Sequence, residues 1–296
     1  MKKKTAIVTG GTSNDVPAMA CLVMNIKDTN PNLADEIVIL HDGISEKDQQ
    51  LINGIFPTRF ILYESPFKDV TDFGDVVTKY FSTMVFCKYE CFKLLNDYEC
   101  VIWTDYDVVI VDDISELKEK SNSGIEIMVI ADRPISNAFQ NDYLELNCLK
   151  KYNFDMPGIC MSLFVLYDNL DYEYLYEWTI EYTKKLAQYL FLPEQAIVNL
   201  LLQEFNIQAG TQKITYERYC MHPSDLFNKA NVKILHAYGL PKFWNGLYNE
   251  IWEKNYKRWL QIGGTPYEYR TLKGRLKAMI VYRGIRKIMR LIKIWE

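Results

Sequence analysis

The chain has 296 residues, of which 49% are hydrophobic and 24% charged. That composition belongs to a globular protein able to bury one large core, not to a disordered chain. A net charge of −4 argues against nucleic acid as a partner, since such binding rests on neutralising phosphates. Seven cysteines, with no CxxC pair, and only three histidines argue against a disulfide framework and a structural zinc site. These features give free thiols and a cytoplasmic setting as the expectation.

In chain order, the opening KTAIVTG reads as a strand rather than a targeting peptide, because glycines interrupt its short apolar run. A Gly/Thr/Ser/Asn turn and a helix over 16–27 follow. EIVILHD is a second strand, and Ser45 with Asp48 has the spacing of a capping box opening the next helix. FILY, residues 60–63, is a third strand, and a helix rich in Phe, Tyr and Leu is expected over 82–95. VIWTDYDVVI, residues 101–110, reads as one buried strand, and IEIMVIAD and ICMSLFVLY are two more. Strands alternating with helices predict an α/β fold with a doubly wound, mostly parallel sheet, whose ligands sit beyond the strands' carboxyl ends. Residues 1–250 read as one domain. The remainder, 251–296, reads as a helical tail. Its last 26 residues carry eight basic side chains against one acid, at helical apolar spacing. Such a segment predicts a basic amphipathic helix lying on an anionic membrane surface.

One stretch poses a chemical problem. Asp105 and Asp107, two positions apart in a strand, would share one face and repel each other in an apolar setting. A divalent cation, Mn²⁺ or Mg²⁺, would offset both charges at once. Two facing acids at a wet strand end are the simpler alternative, and a nucleophilic aspartate of the haloacid dehalogenase phosphatase type is another.

Several segments bear on the choice. Residues 38–52, VILHDGISEKDQQLI, the opening VTGGTSND, the run YFSTMVFCKYECFKLL before WTDYDVVIVDDISEL, the element LPEQAIVN and the stretch KILHAYGLPKFW resemble, in order, the motifs of glycosyltransferase family 8. That resemblance implies a retaining hexosyltransferase of the GT-A fold. Asp105, Asp107 and His236 would hold the metal against the diphosphate of UDP-glucose or UDP-galactose, with Gly239 and Lys242 beside the phosphates. Thr9, Gly10, Thr12, Asn14 and Tyr106 would line the nucleotide, and Lys88 would take the place of a donor-contacting arginine. Asp132, Glu194 and Gln195 would face the transferred sugar, Gln195 below its anomeric carbon. The acceptor would be a bacterial surface glycan, free or lipid-linked, presented at the inner face of the plasma membrane. Two departures stand out: Cys160-Met161-Ser162 replaces the family's Asn-Ala/Ser-Gly, and Phe243 replaces a proline. They leave open a protein of the same fold that binds sugar nucleotide without turnover.

Overall fold

The computed structural model describes residues 2–68, 73–140, 143–208, 213–225 and 231–270. The basic segment 271–296 therefore lies outside the described residues. A six-stranded sheet has the order β3-β2-β1-β4-β7-β6. It comprises β1 (Lys3–Gly11), β2 (Glu36–His41), β3 (Thr58–Leu62), β4 (Tyr98–Thr104), β6 (Ile125–Pro134) and β7 (Pro157–Tyr167). The first four run parallel, and β7 pairs antiparallel with both β4 and β6. A second, two-stranded sheet joins β5 (Val108–Ile110) to β8 (Ile234–His236), antiparallel.

Alternation along the central strands feeds two cores. Val8, Val101 and Trp103 point to one side, packed under α4 (Glu90–Leu94), α5 (Tyr172–Leu186) and α6 (Pro193–Glu204). Ile7 and Ile102 point to the other, under α1 (Val16–Thr29), α2 (Glu46–Ile55) and α8 (Glu250–Gln261). Both faces of a parallel sheet must be covered in this way, which makes its strands near-continuous apolar runs. Short helices α3 (Asp75–Tyr80) and α7 (Tyr216–Tyr219) complete the set. The expected cap is formed: Ser45 Oγ accepts from Asp48 N at 3.2 Å and donates to Asp48 Oδ2 at 2.8 Å.

Two expectations need correction. The apolar run 101–110 is not one strand: β4 stops at Thr104, residues 105–107 turn, and β5 pairs in the other sheet. The last ladder contact is Asp105 N to the Ser162 carbonyl, 2.9 Å. The two aspartates thus share a side because a turn folds them together, not because a strand alternates. The second correction concerns 82–95, which is a 3₁₀ segment, Thr83–Tyr89, followed by the single α-turn of α4. Residues 250–270 pack on the body, with Trp252, Tyr256 and Trp259 buried against the α1 side.

Candidate active site

The carboxyl ends of β1, β2 and β4 share one edge of the sheet, and the turn 105–107 lies on it. Asp105 and Asp107 come from this turn. His236 comes from the end of β8, which pairs with Val108 directly after the turn. One ligand atom from each of the three lies within 4.8 Å of the others. His236 Nε2 is 3.1 Å from Asp107 Oδ1 and 4.0 Å from Asp105 Oδ2. Backbone bonds fix the approach: Ala237 N donates to Asp107 O at 2.9 Å, and His236 N to Met221 O at 3.0 Å.

Three acids crowd this edge, Asp105, Asp107 and Glu194, and two ammonium groups and the His236 imidazole meet them. Lys88 Nζ sits 3.3 Å from Asp105 Oδ1 and 3.0 Å from Glu194 Oε1, with its ammonium 5.7 Å from the Trp103 ring. Lys242 Nζ contacts Asp107 Oδ2 and donates to Ala237 O at 2.8 Å. Burial alone would raise the Asp107 carboxyl, but His236 and Lys242 outweigh it and hold it well below the usual carboxylate range. Burial alone would lower the His236 imidazole, yet Asp107 and then Asp105 lift it above its ordinary value. Lys88 is likewise depressed by burial and more than restored by Asp105 and Glu194. The charge problem posed by the acid pair is met by protein cations.

The remaining candidates divide. Glu194 is buried and opens α6, joined through Lys88 to the acid turn, while Gln195 is half-buried beside it. Asn199 holds that end of α6 in place: its Nδ2 donates to Gln195 O at 2.8 Å and its Oδ1 accepts from Ile159 N at 3.2 Å. Asp132 stands exposed in the irregular stretch of β6 between Ile130 and Pro134. Among the described residues no ion pair or hydrogen bond joins it to the acids. Thr9 is fully buried near the end of β1, and Asn14 is exposed in the turn after it. Thr12 is committed to a local cap, its N and Oγ1 both donating to Asp15 Oδ2, at 3.1 and 2.6 Å. Gly10 has a packing reason: a Cβ there would stand 2.7 Å from Cys87 Sγ and 3.0 Å from Leu40 O. Gly239 has open space around it and a left-handed φ of +69°, a conformation glycine takes freely. Tyr106 stacks on Trp244, centroids 5.9 Å apart, and burial, with Asp15 beside it, raises its hydroxyl pKa.

Sequence reasoning missed three contributors. Trp103 Nε1 donates to Asp105 Oδ1 at 2.9 Å; its place two residues before Asp105, near the end of β4, was the available signal. Asp15 holds Thr12 and faces Tyr106. Cys220 Sγ lies 3.1 Å from His236 Nδ1, and nothing local in the sequence marks it.

The donor set fits a hard divalent cation: two carboxylates and one imidazole suit Mn²⁺ or Mg²⁺ better than a soft ion. Two buried side-chain oxygens, Thr9 Oγ1 and Glu194 Oε2, have no hydrogen-bond partner among the described residues. Buried polar atoms without partners are uncommon in folded proteins and ask for an explanation such as a bound ligand. A phosphatase nucleophile is a poorer match, since Asp105 Oδ1 already faces Trp103 Nε1 and Lys88.

Sequence comparison with curated proteins returns no match. Similar solved structures include the galactosyltransferase LgtC in complex with donor and acceptor sugar analogues, at 14% identity and a TM-score of 0.62, covering 90% of this chain and 99% of that one. The bifunctional glycosyltransferase WbbM in its apo form gives 15%, 0.61, 93% and 52%. The glycosyltransferase GlyE of Streptococcus pneumoniae TIGR4, also apo, gives 15%, 0.54, 90% and 65%. At these identities the likeness is one of fold, and the fold is GT-A. The family model for glycosyl transferase family 8 matches residues 6–247, a span that holds the whole acid turn, the Lys88–Glu194 link and the His236 segment. The chain therefore belongs to glycosyltransferase family 8.

Proposed function

We propose that the protein moves glucose or galactose from a UDP-sugar, with retention, to a hydroxyl of a bacterial surface glycan. Mn²⁺, with Mg²⁺ as the alternative ion, would be held by Asp105, Asp107 and His236. The observation that carries this reading is the meeting of those three donor groups within 4.8 Å, at the strand ends where α/β folds bind ligands. When bound, the ion supplies Lewis acidity against the charge of the departing diphosphate.

The chain's own groups do the rest. The Lys242 ammonium, on Asp107 in the structure described, is a cation that can pair with phosphate once an ion neutralises that carboxylate. The open surroundings of Gly239 let backbone approach the same phosphates. Thr9, Gly10, Thr12, Asn14 and Tyr106 line the nucleoside side. Lys88, already bridging Asp105 and Glu194, reaches the donor from below. Glu194 and Asp132 accept from sugar hydroxyls, and Gln195 sits beneath the anomeric carbon. An amide is a weak nucleophile, which favours attack from the leaving-group face, with the departing phosphate taking the acceptor proton. LgtC has been captured with donor and acceptor sugar analogues, and the shared fold supports placing both substrates at this edge.

Among the described residues no helix is long and apolar enough to cross a membrane. We assign the tail 271–296 to the anionic inner face of the plasma membrane, where a lipid-linked acceptor would be presented.

Release of UDP from UDP-glucose, UDP-galactose and UDP-N-acetylglucosamine, each with Mn²⁺ or with chelator, tests the proposal. Release from glucose or galactose donor, abolished by chelator, is expected. UDP that binds in an Mn²⁺-dependent way without release, even with acceptor present, would turn the reading toward a binding protein of the same fold.

A further inference from the structure

The His236 imidazole has two edges with different surroundings. Nε2 faces Asp107 and Asp105, and this is the edge a metal ion would take. Ligation there needs the Nε2 lone pair, so the ring's hydrogen must sit on Nδ1, where something must accept it. The atom in place is Cys220 Sγ, 3.1 Å away. Both residues are buried, Cys220 at 2% and His236 at 6% exposure, so water does not readily substitute.

Cys220 is itself held. It follows α7, and its amide donates to Tyr216 O at 3.0 Å. The next residue, Met221, bridges to Leu235 and accepts from His236 N, so the backbones carrying thiol and imidazole are locked side by side. Ser162 Oγ lies 3.7 Å from the same sulfur, and Cys160 Sγ is 3.2 Å from that hydroxyl. The S–H therefore has somewhere to point, which leaves a sulfur lone pair for Nδ1–H. Cys160 and Ser162, from the Cys160-Met161-Ser162 departure, continue this chain of side chains from His236 and Cys220.

The geometry points to Cys220 as a positioning residue that holds His236 in the Nδ1–H form and thereby sets the metal affinity of the site, an assignment that rests on the metal reading above. A thiol is a weak acceptor, so the orienting bond is softer than one to a carboxylate. Whether a proton or an ion occupies Nε2, the Nδ1 side keeps the same partner.

Two replacements separate positioning from packing. Cys220→Ser keeps an acceptor, whereas Cys220→Val fills the space without one. Mn²⁺ binding to the full chain, read by calorimetry with no donor and no turnover, is expected to weaken about tenfold or more in the valine variant and to stay near wild type in the serine variant. Valine binding as well as serine, or better, would overturn the assignment and leave a packing role. A wild-type chain that binds no Mn²⁺ would overturn the metal reading, and this assignment with it. A measurement on the unaltered sequence guards against variants that fail to fold. With Mg²⁺ loaded, NMR of His236, assigned against His236→Gln, should show an Nδ1–H protected from exchange with water, as a bond to the buried sulfur requires; an Nδ1–H that exchanges freely would sink the idea.

Discussion

The floor and the rim of the site are built on different principles. On the floor, β1, β4 and the 3₁₀ segment Thr83–Tyr89 meet with little free space: a Cβ at Gly10 would run into Cys87 and Leu40, and Lys88 is enclosed between Asp105, Glu194 and Trp103. On the rim, residues 236–247, Gly239 has nothing near it, Leu240 is 81% exposed, and Lys242 is held by one carboxylate and one carbonyl. The floor is fixed by packing and by buried charge pairs, whose loss is felt in stability. The rim is fixed by backbone conformation and a few polar contacts, whose loss is felt in binding. Asp107 joins the two.

The sharpest break is expected at Lys88. Lys88→Met leaves Asp105 and Glu194 without their shared cation, and removing one partner of a buried pair costs about 3–5 kcal/mol. Urea unfolding should show that loss, whereas Lys242→Met should cost less, because that ammonium is partly exposed and His236 still faces Asp107, and should instead raise the KM for donor. Equal stability losses would erase the distinction between floor and rim. Next comes the joint itself. Asp107→Asn should lower UDP release about 10²–10³-fold, the kinetic equivalent of several kcal/mol of lost charge stabilisation, with weakened Mn²⁺ binding by calorimetry.

Two glycines sharpen the comparison at smaller cost. Gly10→Ala forces a Cβ into the floor, and overpacking of this kind costs about 1–3 kcal/mol. Gly239→Ala meets no atoms and should cost about 1–2 kcal/mol for its left-handed φ alone, with a larger effect on donor KM than Gly10→Ala produces. The smallest effect concerns the root of the rim. Glu116 pairs with Lys233 and Arg218 and accepts from the Tyr219 hydroxyl, securing the base of β8. Burial pushes its carboxyl up, but Lys233 and then Tyr219 pull it below its ordinary value of 4.5. A depressed carboxylate contributes stability that is present above the unfolded value and is lost as pH falls through the folded one. Thermal unfolding of wild type should therefore lose stability below about pH 4.5 more steeply than Glu116→Gln; parallel acid limbs would show that the pair contributes nothing measurable.

The same contrast explains what the sequence revealed. Strand–helix alternation and the Ser45 cap are local patterns, so they were legible. The break after Thr104 was not, because Val108–Ile110 is as apolar and buried as the strand before it, and periodicity does not register a change of partner sheet. Asp105, Asp107 and His236 were visible as chemical types that also match family motifs. Lys88 was visible only as a position: its contact with Glu194 spans 106 residues, so its burial between two acids is a product of tertiary structure. Cys220 was invisible for a related reason, since a thiol that orients an imidazole leaves no spacing rule.

Arg270, the last described residue, is pinned between the rim and the α8 aromatics. Its Nε donates to Trp244 O at 2.7 Å and its Nη2 to Phe243 O at 3.0 Å, while Glu253 pairs with the guanidinium at 2.9 Å. The group also lies 4.8 Å over Trp252 and 5.1 Å over Tyr256. The two carbonyls it grips belong to the residues directly after Lys242. A tether fastened beyond Arg270 would therefore have its nearest described anchor on the Phe243 and Trp244 peptides, next to Lys242 rather than on the sheet.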